Sequence, residues 1–503
     1  MIVTHNSQKE SDRGSLLQKR SVIIAFLICF ISWIYLFFLT KMEINFDAIG
    51  YEDIGLTIYK SGWIEYFRGG PRREPLYPFL ISLSMYAAEI FKVPYAIPQK
   101  IIQILAVFLT QILTLVILKK LKVKNSLQLF AILYLGFSPA IMNSAFSLFS
   151  EIATYPLVLA IILAAHRLWI SIRIKGYKQS LLGGVTLALF FLAATFTKGV
   201  FQGVLYFFLI PFIFLGLHSL LTHQKKICIA SVFNLLLIMI IFQSCFISFK
   251  LMNKKYNGLF EFTDRYGLAI YGNAAKRAKE MNLRVFMAYL ASVPGDGFCR
   301  RFFSVEECKY YSWESADKLW GYELPKLLAG VPSEKQNEKA ISLAKDKIAK
   351  NPLQHFVLSM IEGMKIFFWE STQLGNVTYP NWLRTCYDFP VFKNGLRLII
   401  SLLTIYSFLF LLYYLFQNKT KLFQPPSANE PDCQLCFFIV LMVSSFTALY
   451  AFLHILTRFA LPLAPLFIIC IAFCLNNQHF FCERFRNHSI LLKADIVKRT
   501  HLG

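Results

Sequence analysis

The feature that most constrains this chain is an apolar block at residues 21–40 that contains no charged residue. A helix of about 20 apolar residues is long enough to cross the hydrocarbon core of a bilayer. A cleavable signal peptide is the competing interpretation of a block so near the amino end. The block is longer than the apolar core of a signal peptide, however, and no small-x-small cleavage site follows it. The sequence therefore favours an uncleaved membrane anchor.

Similar blocks recur along the chain and explain its composition, which is 56% hydrophobic and 16% charged. Soluble domains are about 45–50% apolar and about 25% charged. The blocks predict ten spans, so the expected fold class is all-α, a polytopic membrane helical bundle with a helical region on its outer face. The predicted spans are residues 21–40, 97–118, 127–143, 149–169, 181–196, 200–221, 227–249, 396–416, 436–451 and 459–475.

The charged residues of the chain give a formal net charge of +23, which on a soluble protein suggests nucleic-acid binding. Here the basic residues cluster in short segments beside the apolar blocks, as in the cytoplasmic loops of membrane proteins. Alternation along the predicted spans places the amino end and every later basic cluster on the cytoplasmic side. These clusters are 119–124, 167–178, 225–226, 419–421 and the tail from 484. The sequence therefore predicts membrane lipids as partners and excludes nucleic acid.

Two apolar segments do not fit this count as full spans. Residues 78–91 form a short segment that contains Glu89, and residues 353–369 contain Glu362 and Lys365, so both are predicted to be re-entrant or interfacial helices. The resulting organisation is a cytoplasmic amino end (1–20), a membrane bundle (21–249) with an outer loop (41–77), a mostly helical extracytoplasmic region (250–395), further spans (396–475) and a cytoplasmic tail (476–503). Cys299 and Cys308 can form a disulfide if the extracytoplasmic region faces an oxidising compartment.

The outer loop at 41–77 is the part of the sequence most informative about function. It combines carboxylates, aromatic residues and an Arg-Arg pair, and it ends at a Pro-flanked apolar segment. Asp47, Tyr51 and Gly55 are spaced four residues apart, so a helix would present all three on one face. A carboxylate beside aromatic residues at a membrane surface can act as a general base or orient a sugar.

Motifs along most of the chain resemble those of the GT-C superfamily of membrane glycosyltransferases, which includes protein O-mannosyltransferases and the aminoarabinose transferases of lipid A. The outer loop contains D-A-x-x-Y from Asp47 and R-x-P-L-Y-P from Arg73. The segment SPAIMNSAFSLFSEIATYPL is similar to the family's Pro-then-acid stretch and supplies Glu151. ALFFLAATFTKGV supplies Lys198, and TRFALPLAP supplies Arg458. Many relatives have two adjacent acids where this chain has Asp47-Ala48.

The resemblance implies a sugar transfer on the outer side of a membrane, and we expect that membrane to be the bacterial inner (plasma) membrane. The donor would be a polyprenyl-phosphate sugar, and the acceptor a lipid, a glycan or a protein. Asp47 and Glu151 are the implied catalytic residues, because a carboxylate must deprotonate a hydroxyl acceptor. Lys198, Arg458 and Arg73 would bind the donor phosphate, since cations stabilise its departure. Some relatives hold a divalent metal ion between the loop acids, so Asp47 with Glu151 is the candidate pair for a metal cofactor.

Each of these residues also has a purely structural interpretation. Asp47 can cap a helix or remain solvated, and Glu151 at a helix start stabilises the helix dipole. Lys198 and Arg458 can snorkel from the ends of spans, and Arg73 can bind lipid headgroups. A transporter or flippase for an envelope lipid is the alternative function. Its charges would lie near the bilayer midplane in paired halves, whereas here they collect at the outer ends of the predicted spans, which favours the enzyme.

Overall fold

The computed structural model describes residues 3–175, 177–263, 266–370, 377–424, 430–453 and 457–478. Within these ranges, side chains are described from Arg20 onward, except those of Lys175 and Thr457. The amino-terminal half of the chain consists of long helices joined by short turns. In order they are α1 (Val3–Leu39), α2 (Asp47–Arg68), α3 (Leu76–Phe91), α4 (Ala96–Lys120), α5 (Asn125–Phe137), α6 (Pro139–Phe146), α7 (Glu151–Lys175), α8 (Tyr177–Thr197), α9 (Val200–Leu221) and α10 (Lys225–Asn257).

The middle of the chain is built from shorter helices, as the sequence predicts for the region 250–395. They are α11 (Tyr266–Arg277), α12 (Leu283–Ala291), α13 (Asp296–Cys299), α14 (Val305–Lys309), α15 (Trp313–Lys318), α16 (Leu324–Leu327), α17 (Ser333–Lys350), α18 (Pro352–Gly363) and α19 (Asn381–Asp388). A π-helical turn at Leu319–Glu323 joins α15 to α16, and a 3₁₀ helix at Met364–Phe367 follows α18. Cys299 and Cys308, the two cysteines that the sequence analysis considered as a disulfide pair, are disulfide-bonded.

Three long helices complete the described chain: α20 (Pro390–Gln417), α21 (Cys433–Leu453) and α22 (Ala464–Asn476). Two 3₁₀ helices, Lys419–Phe423 and Thr457–Leu463, connect them. The described residues contain two strands of two residues each, which pair with each other in an antiparallel arrangement. In this ribbon β1 (Lys41–Met42) joins β2 (Val377–Thr378), which ties the residues after α1 to those before α19.

Apolar composition and length decide which helices cross the membrane. Within the described residues, nine helical segments are long and apolar enough to do so, and α5 with α6 form a tenth candidate that is bent by 46°. These candidates match the ten predicted spans one for one. The chain is therefore an integral membrane protein, and the predicted all-α polytopic bundle is confirmed.

The two ends of the bundle differ in the residues that they bring together. At one end the basic clusters meet: the Lys124 amide donates to Asn476 Oδ1 at 2.9 Å, and Arg173 Nη1 donates to the Gln424 carbonyl at 3.2 Å. At the other end lie residues 41–77 and the described residues of 250–395, joined for example by Asn257 Nδ2 donating to the Phe67 carbonyl at 2.8 Å. We call these the basic end and the site end.

The predicted cytoplasmic segments at the two termini remain predictions. α1 extends back to Val3, well before the predicted span, but the side chains of residues 1–19 lie outside the described part of the chain. Residues 479–503, which form most of the predicted tail 476–503, also lie outside it.

The two segments that were predicted not to span are short helices at the site end. α3 has 16 residues, so it is about 24 Å long, which is less than the hydrocarbon thickness of about 30 Å. It packs closely against α2, because a Cβ at Gly55 would lie 2.7 Å from Ile81 Cγ2. α18 has 12 residues. The chain then turns into the bundle, where Trp369 Nε1 donates to Thr404 Oγ1 of α20 at 3.2 Å.

Candidate functional site

The carboxylate of Asp47 is held between two arginines that come from distant parts of the sequence. Asp47 begins α2, and the φ of 52° at Phe46 turns the chain sharply into that helix. Arg73 Nη2 donates to Asp47 Oδ1 at 2.5 Å, and Arg458 Nη2 donates to Asp47 Oδ2. The structure therefore gives Asp47 two ionic partners, whereas a solvated loop acid would have none.

The backbone around Arg73 fixes its side chain beneath α2. The Tyr66 hydroxyl donates to the Arg73 carbonyl at 3.0 Å, and the guanidinium lies 4.4 Å from the ring centroid of Tyr51. A Cβ at Gly50 would come within 3.1 Å of Arg73 Nε, so glycine leaves room for the guanidinium. Arg73 is buried, and this position is unlike that of an arginine that only touches lipid headgroups.

Glu151 and Lys198 form a second ion pair deeper in the protein. Lys198 Nζ donates to Glu151 Oε1 at 3.0 Å, and the two side chains are only 10% and 4% exposed, respectively. Glu151 begins α7, and Lys198 occupies the short gap between α8 and α9. Glu74 holds this gap in place, because its Oε1 accepts the Gly199 amide at 2.8 Å. A lysine that snorkels toward water would not be buried in this way.

Aromatic side chains join the two groups of charges. Phe459 lies between them: Lys198 Nζ is 4.9 Å and Arg458 Cζ is 5.4 Å from its ring centroid. On the other side, the hydroxyls of Tyr51 and Ser150 lie 3.0 Å apart, which connects α2 to the residue before Glu151.

The structure thus brings together all five residues that the sequence selects: Asp47, Arg73, Glu151, Lys198 and Arg458. We call these five the ion cluster. Its members differ in their access to solvent and lipid. The side chains of Asp47 and Arg458 are 26% and 29% exposed, whereas Glu151 and Lys198 are nearly closed off. A ligand that entered the cluster would therefore meet Asp47 and Arg458 first.

The paired charges control the protonation of the cluster. Burial alone would raise the pKa of the Asp47 carboxyl, but Arg458 and Arg73 together hold that pKa well below its usual range. Burial would likewise lower the pKa of the Lys198 ammonium, but the Glu151 carboxylate raises it above its ordinary value. Asp47 is therefore a carboxylate and Lys198 a cation at neutral pH. While both arginines bind Asp47, it is a weak base.

One hydrogen-bond donor of the cluster has no acceptor in the part of the chain that the structure describes. Among the described residues nothing accepts from Arg458 Nε, although the atom is buried. A buried donor without an acceptor costs about 1–3 kcal/mol. The cluster therefore offers a cationic donor to an anionic ligand.

The arrangement of acids does not match a metal site. The described residues contain no group of three or more His, Cys, Asp or Glu side chains that could hold a metal ion. Both oxygens of Asp47 bind guanidinium groups, and Glu151 binds Lys198. Cations thus occupy the positions that a metal ion would need, and the candidate pair Asp47 and Glu151 does not fit a metal ion in this arrangement.

A second buried ionic group lies outside the ion cluster, and the sequence analysis did not identify it as a site. Lys276 Nζ donates to Glu362 Oε1 at 2.7 Å, and Arg277 Nε donates to Glu362 Oε2 at 3.1 Å. Arg277 Nη2 also donates to the Ala451 carbonyl at 2.6 Å, and its Nη1 donates to the Phe452 carbonyl at 3.3 Å. Burial lowers the pKa of Lys276 to about 8 although Glu362 opposes the shift. This group attaches α11 and α18 to the end of α21.

Glu370 is a third buried acid that the sequence analysis missed. It accepts hydrogen bonds from the Tyr134 hydroxyl at 2.6 Å, the Ser138 hydroxyl at 2.9 Å and the Ala140 amide at 3.0 Å. These donors surround the break between α5 and α6, so Glu370 caps the start of α6. The only sequence signal was a carboxylate directly after an apolar segment.

Comparisons with known proteins do not assign the chain to a family. No protein-family model matches it, and no curated protein resembles it at a significant level of sequence similarity. The functional argument therefore rests on the ion cluster and on the motifs that supply its residues.

Proposed function

We propose that this protein is a glycosyltransferase that moves a sugar from a polyprenyl-phosphate donor to an acceptor at the site end. The observation that carries the proposal is the ion cluster itself. Three cations and two carboxylates meet at a partly open position at the end of a membrane bundle, and Arg458 Nε there has no acceptor among the described residues. A lipid-linked sugar phosphate could reach such a position from the bilayer.

The cations suit the change in charge that this reaction requires. The donor is a phosphodiester with one negative charge, and the lipid phosphate that leaves has gained a second when the anomeric carbon–oxygen bond breaks. Arg73 and Arg458 can bind phosphate oxygens through two parallel hydrogen bonds each, and Lys198 supplies a point charge. Because Arg73 and Lys198 are buried, they stabilise the developing charge more than they would in solution.

The same ion pairs explain how Asp47 can act as the base. Without a donor, both arginines bind Asp47 and keep it a weak base. A phosphate that takes over part of their hydrogen bonding weakens these pairs, so the proton affinity of Asp47 rises. The acceptor hydroxyl then attacks the anomeric carbon and gives its proton to Asp47. Glu151 keeps Lys198 in place and is the second candidate for acceptor contact.

The proposal includes an orientation. The basic end would face the cytoplasm, as the positive-inside rule requires, and the site end would face outward. Nucleotide sugars are confined to the cytoplasm, so a membrane-borne donor is the form of sugar that reaches such a site. We place the protein in the bacterial inner membrane, with a lipid, a glycan or a protein of the envelope as acceptor.

A lipid transporter is less compatible with the same residues. Its substrate-binding charges would lie near the bilayer midplane, at broken helices in paired halves. The charges of the ion cluster instead lie at one end of the bundle. One buried carboxylate inside the bundle, Glu370, is engaged by three donors as a helix cap.

Mass spectrometry of cells with and without the gene tests the proposal. Loss of the gene should remove one glycan or sugar-modified lipid or protein from the envelope and increase the matching polyprenyl-phosphate sugar. Complementation with the wild-type gene should reverse both changes, and a gene encoding Arg458→Gln should not. Unchanged envelope glycans together with unchanged polyprenyl-linked sugars would contradict the proposal.

A further inference from the structure

The helix α18 has an unusual distribution of polar and apolar side chains. Leu353, Phe356, Met360 and the residue just after the helix, Met364, are between 41% and 72% exposed. At 100° per residue these four positions lie within about 80° of one another, so they form one apolar face. This face is open to the surroundings along the whole length of the helix.

The opposite face of α18 is buried, and most of it is polar. His355, Ser359 and Glu362 are at most 6% exposed, together with the apolar Leu358. Arg277 holds this face, because its Nη1 donates to Ser359 Oγ at 2.7 Å and its Nε to Glu362. A helix on a water-exposed surface has the reverse pattern, with its apolar face toward the core. The exposed face of α18 therefore suits an apolar environment.

The anchors of α18 place it at the level where the bundle leaves the bilayer. Arg277 binds the carbonyls of Ala451 and Phe452, and these residues end the membrane-spanning helix α21. A Cβ at Gly363, the last residue of α18, would lie 3.3 Å from Ala451 Cβ. Because α21 ends at this height, α18 lies at the level of the lipid leaflet at the site end.

The loop closed by the disulfide Cys299–Cys308 lies near a second boundary. A Cβ at Gly295 would lie 2.6 Å from Arg397 Nη1, in the early turns of the spanning helix α20. The neighbouring loop residues Phe298 and Phe302 are exposed, and their rings lie 5.4 Å apart. Between them the sequence has two exposed arginines, Arg300 and Arg301.

We propose that α18 and this loop form a lipid-docking surface that lies in the leaflet at the site end. The apolar face of α18 and the rings of Phe298 and Phe302 would enter the boundary between headgroups and acyl chains, as in interfacial amphipathic helices. Arg300 and Arg301 would bind the phosphates of anionic phospholipids. The middle region of the chain is then partly embedded in the membrane. This inference does not depend on the proposed sugar transfer.

Photocrosslinking in nanodiscs tests the surface. The full chain would be made with p-benzoylphenylalanine in place of Phe356 or Phe302. It would then be reconstituted in nanodiscs that contain phosphatidylcholine and phosphatidylglycerol. Lys339, an exposed residue of the charged helix α17, is the matched control. We expect phospholipid adducts at both phenylalanine positions and none at Lys339. If Phe356 crosslinks only to a second copy of the chain, or forms no lipid adduct, the lipid-docking surface is refuted.

A charge reversal tests the contribution of the arginines. In the protein that carries the probe at residue 302, Arg300→Glu with Arg301→Glu should lower the yield of phosphatidylglycerol adducts several-fold relative to phosphatidylcholine adducts. Both arginines are exposed, so the substitutions should leave folding intact, and an unchanged thermal unfolding midpoint serves as the control. An unchanged ratio of the two lipid adducts would rule out recognition of anionic headgroups.

Discussion

The buried pair Lys198–Glu151 provides a quantitative test that needs no substrate. Lys198→Met removes the cation and leaves the Glu151 carboxylate almost without solvent, at 4% exposure. Removing one partner of a buried pair typically costs about 3–5 kcal/mol, because a buried charge remains uncompensated. We expect this loss in the free energy of unfolding of Lys198→Met, and a comparable loss in Glu151→Gln.

The double variant shows whether Lys198 and Glu151 stabilise the fold as an ion pair or contribute to its stability independently. Lys198→Met with Glu151→Gln removes both charges of the pair, so neither partner is left uncompensated and most of the stability should return. Recovery should be incomplete, because the ammonium also lies 4.9 Å from the Phe459 ring centroid, an interaction of about 0.5–2 kcal/mol. Because each single variant should lose at least about 3 kcal/mol and the double variant at most about 2 kcal/mol, the expected coupling energy is at least about 4 kcal/mol, above the usual range of about 0.5–3 kcal/mol.

Denaturant unfolding in detergent micelles, followed by tryptophan fluorescence, measures these free energies. The exposed pair Lys41–Glu43 is the control, since its atoms are 3.9 Å apart and its side chains are 79% and 33% exposed. Lys41→Met should cost no more than about 1 kcal/mol. If the two single variants of the buried pair lose less than about 1 kcal/mol each and their effects simply add, the argument from burial fails.

Three further predictions follow from the same structure. Asp47→Asn should abolish sugar transfer while the chain is still expressed and folded, because the amide cannot accept the acceptor's proton; near-normal transfer would remove Asp47 from that role. A single cysteine at the exposed Lys92 should react with a membrane-impermeant thiol reagent in whole cells, and one at the exposed Lys122 should not; the reverse pattern would invert the proposed orientation. Burial and the nearby charge of Arg277 lower the pKa of His355 to about 4 from an ordinary value of about 6.5. The folded chain therefore binds fewer protons than the unfolded chain between these values, so stability should fall as the pH drops from about 6.5 to about 4, and His355→Gln should remove that slope.

The membrane spans were predictable because they depend on local composition. A run of apolar residues identifies a helix that can cross a bilayer whatever surrounds it. The bend between α5 and α6 was not predicted, although Pro139 lies inside the predicted span and a proline there ends or kinks a helix. Its stabilising partner, Glu370, lies more than two hundred residues away, and only tertiary packing brings the two together.

The residues of the ion cluster could be predicted from the sequence, but the way in which they pair could not. The alternation of the spans places four of these residues at one end of the bundle: Asp47, Glu151, Lys198 and Arg458. Charge and topology alone do not predict which of them are in contact. That Asp47 bridges Arg73 and Arg458 depends on how α2 packs against the 3₁₀ helix Thr457–Leu463. The sequence therefore predicted two catalytic carboxylates and three phosphate-binding cations, whereas the structure adds that one of these carboxylates, Asp47, is paired with two of these cations.

Transfer by the purified chain is the most direct test of the central claim. The protein would be reconstituted in nanodiscs with the membrane lipids of its source organism, and mass spectrometry would follow the polyprenyl-phosphate sugars and the free polyprenyl phosphate over time. The account predicts that one polyprenyl-phosphate sugar is consumed while polyprenyl phosphate and a glycosylated acceptor appear, and that Arg458→Gln slows this at least several-fold. If no polyprenyl-phosphate sugar is consumed, or if Arg458→Gln consumes it at the wild-type rate, the proposed transfer at the ion cluster is contradicted.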